Sequence, residues 1–105
     1  MLRIKKGVSI AGIRPEMVVA IFVVEGILAS GGYETVITAA LDSKHGRGSL
    51  HFVGLALDFR TRHIEDDLLP VITDEIKQAL GESYDVVLEH NHWHVECQPK
   101  TGANL

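Results

Sequence analysis

Two short stretches concentrate the residues able to do chemistry. The first, His45 to Arg60, reads H-G-R-G-S-L-H-F-V-G-L-A-L-D-F-R, with six residues between His51 and Asp58. The second, Glu89 to Glu96, reads E-H-N-H-W-H-V-E, with His92 and His94 one residue apart. Five of the six histidines fall within 45–51 and 90–94. Two imidazoles and a carboxylate make a three-donor set with one position left for water, which is how catalytic zinc is held. Strand geometry favours the pairing. Alternate side chains of a strand share a face, so His92, His94 and Glu96 point one way while Trp93 and Val95 point the other. In the first stretch Leu55, Leu57 and Phe59 alternate with Ala56, Asp58 and Arg60, an apolar face backing one that presents Asp58. Gly54, between the two candidate ligands, suits a tight bend or a close backbone approach.

The segment Ser49-Leu50-His51-Phe52-Val53-Gly54-Leu55-Ala56-Leu57-Asp58 resembles the S-x-H-x-x-G-x-A-x-D signature of the zinc D-alanyl-D-alanine carboxypeptidase superfamily. That group also includes L-alanyl-D-glutamate endopeptidases of phage and, more distantly, the Hedgehog signalling domain. His92-x-His94 resembles its second motif, and with the element order the likeness spans about residues 34–98. The whole chain looks like a small phage-encoded member. The resemblance implies zinc bound by His51, Asp58 and His94, with a proton-handling side chain just upstream of the last ligand. Many members carry Glu or Asp three residues before that ligand. Asn91 stands there in this chain and cannot accept a proton, which leaves Glu89 or His92 as the base. His45 matches a position that Hedgehog domains also fill with His. Many dipeptidase members use an upstream Arg; nothing in Tyr33–Asp42 supplies one, and Arg47 is the candidate.

The expected function is a zinc peptidase, endolysin-like, hydrolysing peptidoglycan stem peptides by D,D-carboxypeptidase or L-alanyl-D-glutamate endopeptidase chemistry. Zinc would polarise the scissile carbonyl and acidify water. Glu89 or His92 would move the proton. Arg47 or His45 would steady an oxyanion or a substrate carboxylate. Ser49 would hold the loop or touch substrate, since no Ser-His-Asp spacing makes it a nucleophile. The competing expectation is a non-catalytic, zinc-stabilised binding domain on the same fold.

The scaffold that must bring these stretches together reads as β?-α-β-β-α-β-β. Leu2–Ile13 is a short extended arm or strand. Arg14-Pro15-Glu16 opens a helix, Pro being harmless at the first helical position, and Gly31-Gly32 closes it. Apolar residues extend around most of its circumference, which predicts a core helix. Glu34–Leu41 is a strand rich in β-branched residues, and Asp42–Gly48 is a loop. A second helix is expected over Ile64–Leu80, with Asp66 and Asp67 in its first turn and Pro70 kinking or restarting it. Tyr84–Glu89 and His92–Gln98 form a hairpin, and Pro99–Leu105 is a polar tail. The pattern predicts an α+β fold, a mainly antiparallel sheet with helices on one face, Hedgehog/D,D-peptidase-like.

Length and composition set the remaining bounds. A chain of 105 residues makes one domain, 1–105. The 46% apolar and 23% charged content is that of a globular protein. A net charge of −4 offers no basic footprint for nucleic acid or anionic membrane. One cysteine, Cys97, permits no internal disulfide and is expected to be a small buried hydrophobe. The apolar run Met17–Val24 is too short to span a bilayer. Met1–Lys6 is basic but lacks a following secretory h-region and cleavage site, so synthesis in the cytoplasm is expected, with any action at the cell wall reached by another route. Oligomeric state leaves no signal in the sequence.

Overall fold

The computed structural model describes residues 1–41 and 53–98. Five strands and two helices appear there: β1 (Leu2–Ile4), α1 (Pro15–Ser30), β2 (Thr35–Ala39), β3 (Ala56–Arg60), α2 (Leu69–Leu80), β4 (Tyr84–Leu88) and β5 (His92–Cys97), with a 3-10 turn at Asp66–Leu68 before α2. The strands form a single sheet in the order β1-β2-β3-β5-β4. Only β1 runs parallel to its neighbour; the other three pairings are antiparallel. The α+β class and the mainly antiparallel sheet expected from the sequence are therefore present.

Both helices are delimited by their own residues. Arg14 is extended (φ −77°, ψ 156°), Pro15 and Glu16 occupy the first turn of α1, and Gly32 (φ 83°) follows its last turn. Pro70 cannot lie inside a helix, because it lacks an N–H and its ring meets the carbonyl of the preceding turn. The expected Ile64–Leu80 helix is accordingly split. A 3-10 turn carries Asp66 and Asp67, and α2 begins at Leu69 with Pro70 in its first turn.

The core lies between the helices and one sheet face. Leu57 and Phe59 of β3, Trp93, Val95 and Cys97 of β5, and Val86 of β4 pack against Met17, Ile21, Val24 and Leu28 of α1 and Ile76 of α2. Trp93 is fully buried, and its Nε1–H donates to Thr73 Oγ1 at 2.7 Å; Thr73 Oγ1–H donates in turn to the Leu69 carbonyl at 2.6 Å. That chain ties β5 to α2 directly beneath the histidines. Cys97 is buried, as expected, and burial raises its thiol pKa. The helix α1 departs from expectation. Its inner face is buried, but Val18, Val19 and Phe22 are exposed, Phe22 to 70%. A single layer of helices leaves each helix an outer surface whatever its composition. Among the described residues no helix is long and apolar enough to cross a membrane.

Candidate functional site

The face of the sheet away from the helices carries the polar cluster, and strand register assembles it. Between β3 and β5, Asp58 lies directly opposite His94, Arg60 opposite His92 and Ala56 opposite Glu96. Directly opposed residues share a face, so Asp58, Arg60, His92, His94 and Glu96 form one patch. The alternation read from the sequence is what the sheet displays. Between β2 and β3 the register shifts, Ile37 pairing with Phe59 and Ala39 with Asp58. The extra residue, Thr38, donates its hydroxyl to the Asp58 carbonyl at 3.4 Å. A bulge of this kind re-aims side chains beside a site.

Gly54 holds the entry to β3. It sits at φ +78°, and a Cβ there would lie 2.7 Å from the Gly12 carbonyl oxygen. The Arg14 N–H donates to the Gly54 carbonyl at 2.9 Å, and Arg14 Nε–H to the Val53 carbonyl at 3.2 Å. The close backbone approach expected at this glycine is thus made with the loop ahead of α1.

Asp58 is buried to 6% exposure, with His94 hydrogen-bonded to it and His92 close by. His94 Nδ1–H donates to Asp58 Oδ1 at 3.0 Å, and His94 Nε2–H to Glu96 Oε1 at 2.8 Å. His92 Nε2 lies 3.6 Å from Asp58 Oδ2, while its Nδ1–H donates to Asn91 Oδ1 at 2.9 Å. Glu96 also accepts from the Gln98 amide. The hydrogen bonds to Asp58 and Glu96, against partial desolvation, push the His94 pKa up to about 9.

Two of the three expected metal ligands, Asp58 and His94, stand side by side. Two ligands on one tetrahedral ion, with bonds of about 2.0 Å, stand roughly 3.3 Å apart, and Asp58 Oδ1 and His94 Nδ1 are spaced 3.0 Å. Glu96 on the far nitrogen is the carboxylate that would fix the His94 tautomer so that Nδ1 offers its lone pair. Among the described residues no three donors are grouped to hold a metal. The expected third ligand, His51, lies outside the described residues, as do His45, Arg47 and Ser49.

The two candidate bases are separated by the hairpin. The Glu89 N–H donates to the His92 carbonyl at 2.8 Å, closing the turn over His90-Asn91. Glu89 is exposed, whereas His92 reaches Asp58. Beside the pair opens a cleft of about 240 Å³ lined by Lys5, Thr38, Ala39, Asp58, Arg60, Arg62, Asn91 and His92. Sequence reasoning gave no role to Glu96, Arg60, Arg62 or Lys5. Alternation marks Glu96 and Arg60, each two residues from a candidate ligand. Lys5 has no local signal, since only the β1–β2 pairing brings it to the cleft. No family model, curated protein or solved structure matches the chain.

Proposed function

We propose that the chain is a zinc peptidase of the D-alanyl-D-alanine carboxypeptidase superfamily, with the Hedgehog/D,D-peptidase-like fold, acting on peptidoglycan stem peptides as phage endolysins do. The observation that carries this reading is the convergence of two imidazoles on one buried carboxylate, Asp58, on the open face of the sheet. Asp58 and His94 are the two described members of the ligand set that the motifs imply, and His51 would be the third.

His51, Asp58 and His94 would hold zinc, which would supply a Lewis acid able to polarise the scissile carbonyl and acidify water. His92 is the proton carrier. Its Nδ1 lies 2.9 Å from Asn91 Oδ1, and in the tautomer that donates there Nε2 is the nitrogen left to accept a proton. That nitrogen takes a proton from the attacking water and returns it to the leaving amine. Asn91, standing where many members have an acid, works here by orienting His92. Glu96 keeps the His94 ring fixed through Nε2. The half-buried setting of the cluster, with Trp93 and Phe59 packed behind it, makes these electrostatic interactions stronger than at a fully solvated surface.

The test is digestion of purified peptidoglycan by zinc-loaded protein, with release of new amino termini as readout. Wild type and Glu89→Gln should release them, and His92→Ala should lose roughly 10²–10⁴ of the rate with its zinc retained. Absence of release from wild type holding one zinc per chain would overturn the peptidase reading in favour of a zinc-stabilised binding domain.

A further inference from the structure

The two helices share one layer but differ in what they turn outward. On α2 the exposed residues include Asp74, Glu75, Lys77 and Gln78, an ordinary solvated face. On α1 the exposed strip is Val18, Val19, Phe22, Gly26 and Ala29, and none of these is charged. Steps of three and four place them on one side of the helix. Phe22 is the most exposed of its large apolar residues, at 70%. The acids of α1, Glu16 and Glu25, stand at the edges of this strip by the 3.6-residue period and do not interrupt it. Ser30 has its hydroxyl turned back, donating to the Ile27 carbonyl at 2.9 Å. Gly26 is the least expected member. Glycine is the poorest helix former after proline, yet this one lies inside α1 with no left-handed backbone to require it. Among the described residues a Cβ built there would meet no atom within 4 Å. The packing of its own chain therefore does not call for glycine, and the result is an open notch one turn from Phe22.

We infer that the outer strip of α1 is a dimer interface, packed antiparallel on the same strip of a second copy across a twofold axis. The four-residue spacing makes the strip self-complementary. Phe22 of one copy enters the notch at Gly26 of the other, and the symmetry repeats the contact. The same register sets Val19 against Ala29, and small residues let the axes approach to about 8 Å. At 16 residues α1 is about 24 Å long, and a third of its circumference covers on the order of 300 Å² per copy. A hollow of about 410 Å³ lined by Met1, Ala29, Gly32, Tyr33 and Glu34 extends the contact at the helix C-terminal end. The total falls below the roughly 1,200 Å² where standard interfaces begin, so the dimer is concentration-dependent, with a Kd of about 10–100 μM. Other occupants fit less well. Interfacial helices bind lipid with basic flanks, whereas the charged residues of α1 are both acidic. Segments 42–52 and 99–105 are mostly polar residues and glycine by sequence, with no apolar strip to match. The Asp58 cluster lies on the other face of the sheet, so pairing through α1 leaves both copies of it uncovered. The inference does not depend on the peptidase reading.

The test is sedimentation velocity of the full chain, with and without zinc, from about 2 to about 500 μM. The 11.5 kDa monomer should give way to dimer across that range in both conditions. Phe22→Ser should weaken the dimer tenfold or more and leave the circular dichroism of the monomer unchanged. Gly26→Gln should weaken it as much while raising the thermal midpoint of dilute, monomeric protein, because glutamine is the better helix former and meets nothing in its own chain. That pair of opposite effects is what a purely structural role for Gly26 would not produce. The register is read by oxidising an equimolar mixture of Phe22→Cys and Gly26→Cys chains, in which the native Cys97 is buried. The mixed disulfide should exceed either symmetric one at least fivefold, since only the facing pair reaches bonding distance. Monomer alone up to about 500 μM, a dimer that both surface variants leave intact, or symmetric disulfides forming as readily as the mixed one would overturn the inference. Co-sedimentation with phosphatidylcholine vesicles by a chain that stays monomeric in solution would overturn it in favour of a lipid surface.

Discussion

Metal-free protein should lose stability steadily as pH rises from neutral toward 9, and His94 is the reason. Its imidazolium is held by Asp58 and Glu96 at 3.0 and 2.8 Å, and its pKa is raised from 6.5 to about 9. A group whose folded pKa is raised binds its proton more tightly in the folded state. The stabilisation is therefore complete below the unfolded value, 6.5, and is lost as pH climbs through the folded value, about 9. The shift corresponds to about 3 kcal/mol, with a slope near −1.4 kcal/mol per pH unit inside that window. The assay is urea unfolding in the presence of a chelator at pH 6, 7.5 and 9, for wild type and His94→Gln. The difference between the two proteins isolates His94 from other titrating groups, including Cys97. It should shrink by about 3 kcal/mol across the range. A difference independent of pH would refute the reasoning, because the ring would then not be clamped as a cation. Zinc should reverse the sign. Ligation by Nδ1 requires that proton to leave, so zinc affinity should rise up to tenfold per pH unit below about 9, read as a zinc-dependent gain in midpoint that grows with pH.

Two further substitutions probe the scaffold. Gly54→Ala should destabilise by about 2–4 kcal/mol, since the residue would keep a positive φ and press its Cβ on the Gly12 carbonyl at 2.7 Å; a loss under about 1 kcal/mol in denaturant unfolding would contradict the contact. Thr35→Val should stabilise by about 1 kcal/mol, because the Thr35 hydroxyl is buried without a hydrogen-bond partner among the described residues and valine keeps the shape; a destabilised variant would mean the hydroxyl is bonded.

The shared faces of the candidate site's described residues were legible in the sequence. Strand alternation has a period of two, so His92, His94 and Glu96 had to share a face once the segment was a strand, and the same holds for Asp58 and Arg60. The apolar residues between them decided which face went to the core, and Trp93, Val95, Leu57 and Phe59 are indeed buried. Helix ends were also written locally, by Pro15, Gly31-Gly32 and Gly81. The break ahead of α2 was foreshadowed by Pro70, whose missing N–H acts on its own turn.

Register and long-range pairing lie beyond such local rules. That Asp58 faces His94 rather than His92, and that His92 instead meets Arg60, depends on how two strands more than thirty residues apart align. The β2 bulge at Thr38 and the arrival of Lys5 beside Arg60 depend on pairings between strands that no periodicity links. Composition called α1 a core helix, yet only the single-layer packing decided that Phe22 would face outward. The choice of His92 over Glu89 rests on the same kind of fact. Both flank one hairpin in sequence, and it is the sheet geometry that carries only the imidazole to Asp58. Residue types and their period thus determined which groups could meet on a face, and the tertiary structure decided which of them do, because contact distance depends on strand alignment that no single segment encodes.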